Sequence, residues 1–534
     1  MTALTSTLKR LVEIDVRSLA ALRILLGLLI AYDVAVRAAD FELFYSDAGL
    51  VSIAAARRLA PSPAAWSLFW LHSSDAFQWF LLAATAASGI WLALGWRTRW
   101  ASVAAWVLVT SLWNRNPLVG NYGDSLLRML LFWGLFLPWG SAWSLDWIRD
   151  LRRGRVDGRA RAVCSWASAA ILLQLTLVYL FGGLYKWNDD WLHGQALYHA
   201  LHLEYAARPA ARWFVAHEWL LPPLTQATLA LELLGPLAMW SPWRTTACRL
   251  FALACFLALH VGIELFFSPV YLSYVCAFAW ACFLPTSFWE SSPLRATLGR
   301  LERRLVQRFG RVSPALSSTG CRIAAANGAW RTERLVMGQT QFVNGLCGFF
   351  LLYVVLWNVA TFDSRLHGFL PPPLRPLGRC MMLWQTWDMF YIPGRHNGWF
   401  SVPARLRSGA QVDALWNGRP VDRRYPAPSW DQIRNTRWRV FFYRLGAEQL
   451  TWLHPRLAEY LLESWNRSHF GDQQALEVDV VYTHRVGRDE RHQDGFASRV
   501  VATARVPSPV NTQSPDGGGA LERLFQERDL FESP

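Results

Sequence analysis

SLAALRILLGLLIAYDVAVRA, residues Ser18–Ala38, is the stretch on which the fold turns. It matches the roughly 20 apolar residues that a helix needs to cross a bilayer, yet it carries Arg23 and Asp33 within the run. Ionisable groups at that depth are costly and are kept for a purpose. Ten residues, or roughly 15 Å of helix, separate the two, so they cannot pair with each other and each requires a partner from another helix. The charged residues available in or beside the other apolar segments are Arg115, Asp124, Arg128, Glu232, His260 and Glu264.

Working outward, eight further stretches have the same character: Ala76–Leu94, Ala101–Trp113, Ser125–Trp139, Trp166–Tyr185, Leu224–Trp240, Leu250–Phe267, Val270–Leu284 and Phe342–Val359. Several fall short of a full span and need flanking Trp and Leu to complete it. The composition agrees: 53% hydrophobic and 17% charged residues, with 31 Trp, is a mixture for which the bilayer is the natural solvent. No cleavable signal peptide is expected, because Arg23 interrupts the first apolar run.

The net charge of +14 sits between the apolar segments rather than along one face, which excludes nucleic acid as the partner. With the N-terminus cytoplasmic, the inside loops carry 22 Lys and Arg against seven in the outside loops before residue 360, Arg37 included, so the positive-inside rule selects that orientation. The expectation is a polytopic α-helical membrane protein of about nine transmembrane helices, N-in and C-out. A small, β-rich α+β extracytoplasmic domain follows. The expected boundaries are a membrane domain over 1–290, a basic cytoplasmic helix and linker over 291–341, a last membrane helix over 342–360, the α+β domain over 361–506 and a disordered tail over 507–534. Asn397-Gly398, Ser408-Gly409 and Asn417-Gly418 predict hairpins through 399–445, followed by a helix over His454–Arg467 and a strand pair at Leu476–His484 and Ser498–Val506.

Eight scattered cysteines form no CxxC pair, and His193, His199, His202 and His217 are interspersed with aromatics and Leu without zinc spacing, so no metal is expected. His260 and Glu264 share a helix face at i, i+4. Lys186 stands apart. Of 53 basic residues only Lys9 and Lys186 are lysine, and the other 51 are arginine. Arginine cannot release its proton in a protein, whereas a desolvated lysine can act as base or nucleophile. The bland alternative is an interfacial lysine paired with Asp190 at i+4.

Four blocks carry a family resemblance: Ala21-Leu22-Arg23-Ile24 with Asp33 and Phe44–Gly49; Asn114-Arg115-Asn116-Pro117 with Gly123-Asp124 and Arg128; Gly182–Lys186 with Asp190-Trp191; and Leu259-His260. Together they resemble the HTTM membrane domain, the family that includes vitamin K-dependent gamma-glutamyl carboxylase, over about residues 15–290. Trp384–Phe390 with Pro393 and Gly398-Trp399 is similar to the region that often follows this domain in bacterial members. In the carboxylase, a lysine in a run like Gly182–Trp191 deprotonates reduced vitamin K. Oxygenation of that quinol then drives removal of a glutamate γ-proton, and carbon dioxide traps the carbanion.

By resemblance, Lys186 is the base, His260 and Asp124 join it at the catalytic site, and Arg23, Asp33, Arg115, Asn116, Arg128, Asp190, Trp191 and Glu264 support the site. The implied cofactor is a reduced vitamin K or menaquinol-type quinone, with O2 and CO2. The implied partners are membrane lipid and a secreted peptide or protein, at a bacterial inner membrane. The family's Asn-His pair is replaced here by Gly123-Asp124. A non-catalytic partner in maturation or export of a secreted peptide is the competing reading. A transporter lacks the expected internal symmetry.

Overall fold

The computed structural model describes residues 2–60, 62–153, 162–202, 207–208, 210–267, 270–309, 341–391, 398–416, 418–421, 435–485 and 496–506. Every one of the nine apolar stretches falls on a helix: α1 Val16–Ala38, α2 Asp75–Leu94, α3 Thr98–Arg115, α4 Tyr122–Gly134, α5 Trp166–Tyr185, α6 Leu221–Met239, α7 Thr245–Phe266, α8 Tyr271–Ala279 and, after α9 Ser292–Phe309, α10 Gln341–Phe362. Among the described residues five are long and apolar enough to cross a membrane, namely α1, α2, α5, α7 and α10. The basic cytoplasmic helix expected after residue 291 corresponds to α9, with Arg295, Arg300 and Arg304 exposed, whereas its linker and the tail from 507 lie outside the described residues.

Local signals set the helix ends. Asp15 caps α1 by accepting from the Arg17 N–H, and reciprocal capping boxes open α4 (Asn121 with Asp124) and α5 (Ser165 with Ser168). Helices α1 and α2 meet through small residues. A Cβ on Gly27 would lie 2.4 Å from the Gly89 carbonyl oxygen, and one on Gly89 would lie 2.6 Å from that of Gly27. Backbone contact of this kind is how apolar helices gain van der Waals energy where lipid removes the hydrophobic drive between them. Leu28, Phe80, Ile90, Phe251, Leu257, Val261, Leu265 and Leu352 face outward and exposed, as lipid-facing side chains do.

The chain forms two compact units. One holds the described residues of Met1–Trp399, Arg424–Leu450 and His484–Gly495; the other holds those of Phe400–Arg423, Thr451–Thr483 and Phe496–Pro534. In the second unit, α12 (His454–Ser468) packs on a mixed-length sheet of β1 Gly398–Ser401, β2 Pro403–Leu406, β3 Gln411–Asp413, β4 Ala475–Arg485 and β5 Phe496–Arg505, in the order β1-β4-β2-β3 with β5 also on β4. Strands β2 and β3 are antiparallel with Ala404 opposite Val412, and Ser408-Gly409 makes the predicted turn.

The hairpin reading of 399–445 holds for the pair Pro403–Leu406 and Gln411–Asp413 and fails at its end, while residues 417 and 422–434 lie outside the described residues. Thr436–Leu445 is a helix, α11, capped by Asn435, whose side chain accepts from the Arg437 and Trp438 N–H groups. Its buried residues Arg437, Trp438, Phe441 and Leu445 recur at helical spacing, a period that the run of aromatics between arginines disguises. Within the first unit, α11 packs beside the turn that precedes α4.

Candidate functional site

Lys186 is the C-cap of α5, where the helix ends and Asn188 starts a new turn at Asp189–Leu192. The helix therefore does not continue to Asp190, and the i+4 pairing expected of Lys186 gives way to another. The amine lies 2.7 Å from Glu232 Oε2 on α6 and donates at 3.4 Å to the Gly182 carbonyl. It sits 5.4 Å from the centre of the Trp191 ring, whose Nε1–H donates to the Phe390 carbonyl at 3.0 Å. Only 2% of Lys186 is exposed. Gly182 keeps the amine approachable: a Cβ there would stand 3.5 Å from Glu232 Oε2, 3.7 Å from Lys186 Nζ and 3.7 Å from the Trp387 carbonyl oxygen.

Two helical turns before Lys186, Tyr179 is on the same face of α5. Its hydroxyl meets His260 Nε2 at 2.5 Å and accepts from Trp280 Nε1 at 3.1 Å, while Phe256 and Trp280 pack on its ring at 4.3 and 4.9 Å. His260 Nδ1 is buried with no hydrogen-bond partner from the protein. The result is a buried, aromatic-packed arrangement with an amine–carboxylate pair on α5 and α6 and a phenol–imidazole pair on α5 and α7.

The other candidates are spread through the membrane domain. Arg23 closes the C-terminus of α2: it donates to the carbonyls of Leu92 and Ala93 at 2.6 Å each, Trp139 at 3.0 Å and Trp143 at 2.5 Å. This cation at a helix C-terminus is satisfied by backbone alone. Asp33 and Asp124 form a buried four-charge cluster with two arginines. Arg37 donates to Asp33 at 2.7 Å, Asp124 at 2.8 Å and the Tyr45 hydroxyl at 2.7 Å. Arg437 donates to Asp33 at 2.5 Å, to both Asp124 oxygens and to the Val119 carbonyl at 3.0 Å, and lies 4.8 Å over the Tyr271 ring. Asp124 is thus held by two guanidinium groups and the Asn121 N–H.

Arg115 and Asn116 anchor loops, donating to Gln78, Val51 and Tyr45 and to the Phe44 carbonyl respectively. Glu264 shares α7 with His260 but turns to the next connection, accepting from the Val270 N–H and the Tyr274 hydroxyl. Asp190 is the second residue of the short helix Asp189–Leu192, and its carbonyl accepts from the Gln195 N–H. Arg128 stacks on Trp113 and Trp384.

Sequence reasoning did not single out Arg37, Arg437, Tyr179, Tyr45 or Trp280. Arg37 was legible as i+4 to Asp33, and Tyr179 as i−7 to Lys186. Nothing local marks Arg437, 404 residues from Asp33. The histidines grouped as a metal alternative bond locally instead, His193 to the Asp189 carbonyl, His202 to that of Tyr198 and His217 to that of Trp213.

This is a helical membrane domain with a buried ionisable site. The chain matches the HTTM domain over residues 12–289, more than half its length, and belongs to that family, one associated with vitamin K-dependent carboxylase-like membrane proteins. No curated protein and no solved structure matches it.

Proposed function

We propose that this protein is a membrane-embedded, quinol-using enzyme that modifies an extracytoplasmic peptide or protein, with carboxylation of glutamate as the named reaction and Lys186 as the base. The observation that carries this reading is the Lys186 amine, buried against Trp191 and 2.7 Å from Glu232 in a chain that otherwise uses arginine almost throughout. In a dry site an amine and a carboxylate this close can pass a proton along their hydrogen bond, leaving the amine free to accept one. Arginine in the same place could not do this.

These residues have the chemistry to serve a quinone: Tyr179, Phe256 and Trp280 supply aromatic rings, Gly182 places no side chain between Nζ and Glu232, and the unpaired Nδ1 of buried His260 can bond a ring oxygen. A reduced quinone bound there supplies the acidic hydroxyl and the reducing equivalents for reaction with O2. The protein's part is to accept the hydroxyl proton at Lys186, to hold imidazole and phenol in one orientation through the Tyr179–His260 contact, and to exclude water. Glu232, already holding the proton it took from the amine, then releases it so that the pair returns to its starting state.

The test is a reconstituted reaction. Purified protein in lipid nanodiscs is given reduced menaquinone, O2, labelled bicarbonate and a Glu-rich peptide, alongside mass spectrometry of secreted peptides from cells with and without the gene. Protein-dependent consumption of quinol coupled to a mass change on the peptide is expected. Quinol that disappears at the blank rate, with secreted peptides unchanged by deletion, would leave the non-catalytic partner as the better account.

A further inference from the structure

Arg128, on α4, is 1% exposed, and its guanidinium is only partly satisfied. Nε donates to the Asp124 carbonyl at 3.3 Å and Nη2 to the Ser125 hydroxyl at 3.0 Å, whereas no protein acceptor reaches Nη1. Its carbon centre lies 4.6 Å from the middle of the Trp113 ring and 5.3 Å from that of Trp384. A second guanidinium, Arg379, lies 4.7 Å from the same Trp384 ring and 5.5 Å from that of Trp357. Among the described residues neither arginine has a carboxylate within 4 Å. Trp113 Nε1, Trp384 Nε1 and Asn114 Oδ1 are buried here without partners as well. Two guanidinium groups thus stack on the Trp384 indole, and these side chains leave three donors unpaired, Arg128 Nη1, Trp113 Nε1 and Trp384 Nε1, against one unpaired acceptor, Asn114 Oδ1.

We infer that the Arg128–Trp113–Trp384 cluster is a binding site for a carboxylate-type oxyanion. Stacking satisfies only the faces of a guanidinium; its N–H bonds lie in the plane and still require an acceptor. Burying a cation without a bonded acid is costly, and buried Arg128 meets aromatic rings and the Asp124 backbone while the Asp124 carboxylate is taken up by Arg37 and Arg437; Arg379, half-buried, adds a second positive charge to the same indole. A group with one negative charge and acceptor oxygens relieves both deficits. The planar fork of a guanidinium matches the two oxygens of a carboxylate. That chemistry fits bicarbonate or another small free carboxylate, and equally the side-chain carboxylate of a peptide. The inference is independent of the role given to Lys186.

The experiment uses the full chain in detergent, titrated separately with sodium bicarbonate, sodium acetate and N-acetyl-glutamate amide, each against sodium chloride at equal ionic strength. The readouts are the thermal-unfolding midpoint and tryptophan fluorescence. At least one carboxylate should produce a saturable shift that chloride does not. Saturation by bicarbonate and acetate identifies a small free anion, and saturation by N-acetyl-glutamate amide alone identifies a peptide side chain. Arg128→Gln should weaken apparent affinity by about tenfold or more, as expected for losing a charged hydrogen bond. Arg379→Gln and Trp384→Phe, which remove one charge and one unpaired N–H, should each weaken it several-fold and decide the matter if Arg128→Gln does not fold. No saturation with any carboxylate, or variants that titrate like the parent, would overturn the inference.

Discussion

Removing Arg437 leaves two buried carboxylates facing a single guanidinium. In the intact cluster Asp33 and Asp124 are balanced by Arg37 and Arg437, with every distance that bears a number between 2.5 and 3.0 Å. Arg437→Gln deletes the cation that bridges both acids, orphans Asp33 Oδ1 and takes a donor from the Val119 carbonyl. Breaking a buried pair by removing one partner costs about 3–5 kcal/mol, because the surviving charge stays desolvated. The same principle predicts partial recovery when an acid is neutralised too: Arg437→Gln with Asp124→Asn leaves Asp33 and Arg37 balanced and should be more stable than Arg437→Gln alone. The assay is thermal unfolding in one detergent at one scan rate, with Asp124→Asn closing a double-mutant cycle. A midpoint for Arg437→Gln within about a degree of the parent would refute the claim that this cluster ties α11 to α1 and α4.

Three other predictions follow from separate parts of the chain. Gly27→Ala drives a methyl into the Gly89 backbone and should destabilise the α1–α2 contact by about 1–3 kcal/mol, read as a lowered unfolding midpoint, while Gly262→Ala, which meets nothing within 4 Å, should be close to neutral. A reporter after Thr361 should be active outside and one near Arg311 inside; the informative fusion follows Trp243. Arg249 donates to the Leu11 carbonyl, which places that connection on the N-terminal side, so the Trp243 fusion should report cytoplasm, and an extracytoplasmic signal would remove α6 as a span. In the second unit, hydrogen bonds from Arg505 and Arg405 hold the Glu477 carboxyl below the usual glutamate range. A depressed folded-state value contributes stability above the unfolded value of about 4.3 and loses it as pH falls through the folded one, so Glu477→Gln should destabilise at pH 7, with the difference shrinking as the solution is acidified below the unfolded value.

The helices were legible because lipid enforces a simple rule: apolar runs must satisfy their backbone within themselves, and each of the nine stretches did so. The partners of the buried charges were not. Arg23 is satisfied by four carbonyls at the end of another helix, and carbonyls leave no trace in a residue pattern. Asp33 is met by Arg437 from a segment read as hairpin, where Asn435 was the overlooked signal of a helix start. Lys186 was conspicuous through arithmetic on residue types, yet its partner Glu232 depended on where α5 stops.

The central claim is that Lys186 acts as a base, and Lys186→Arg tests it most directly. Arginine keeps the charge and enough reach for Glu232, so insertion and folding should survive while proton acceptance becomes impossible. Quinol-dependent turnover in nanodiscs should fall by about 10²–10⁴-fold, the usual contribution of a general base, with Lys186→Ala regaining part of its rate on addition of small amines and the arginine variant regaining none. An arginine variant that turns over at the parental rate would contradict the account and leave Lys186 as a buried ion-pair residue.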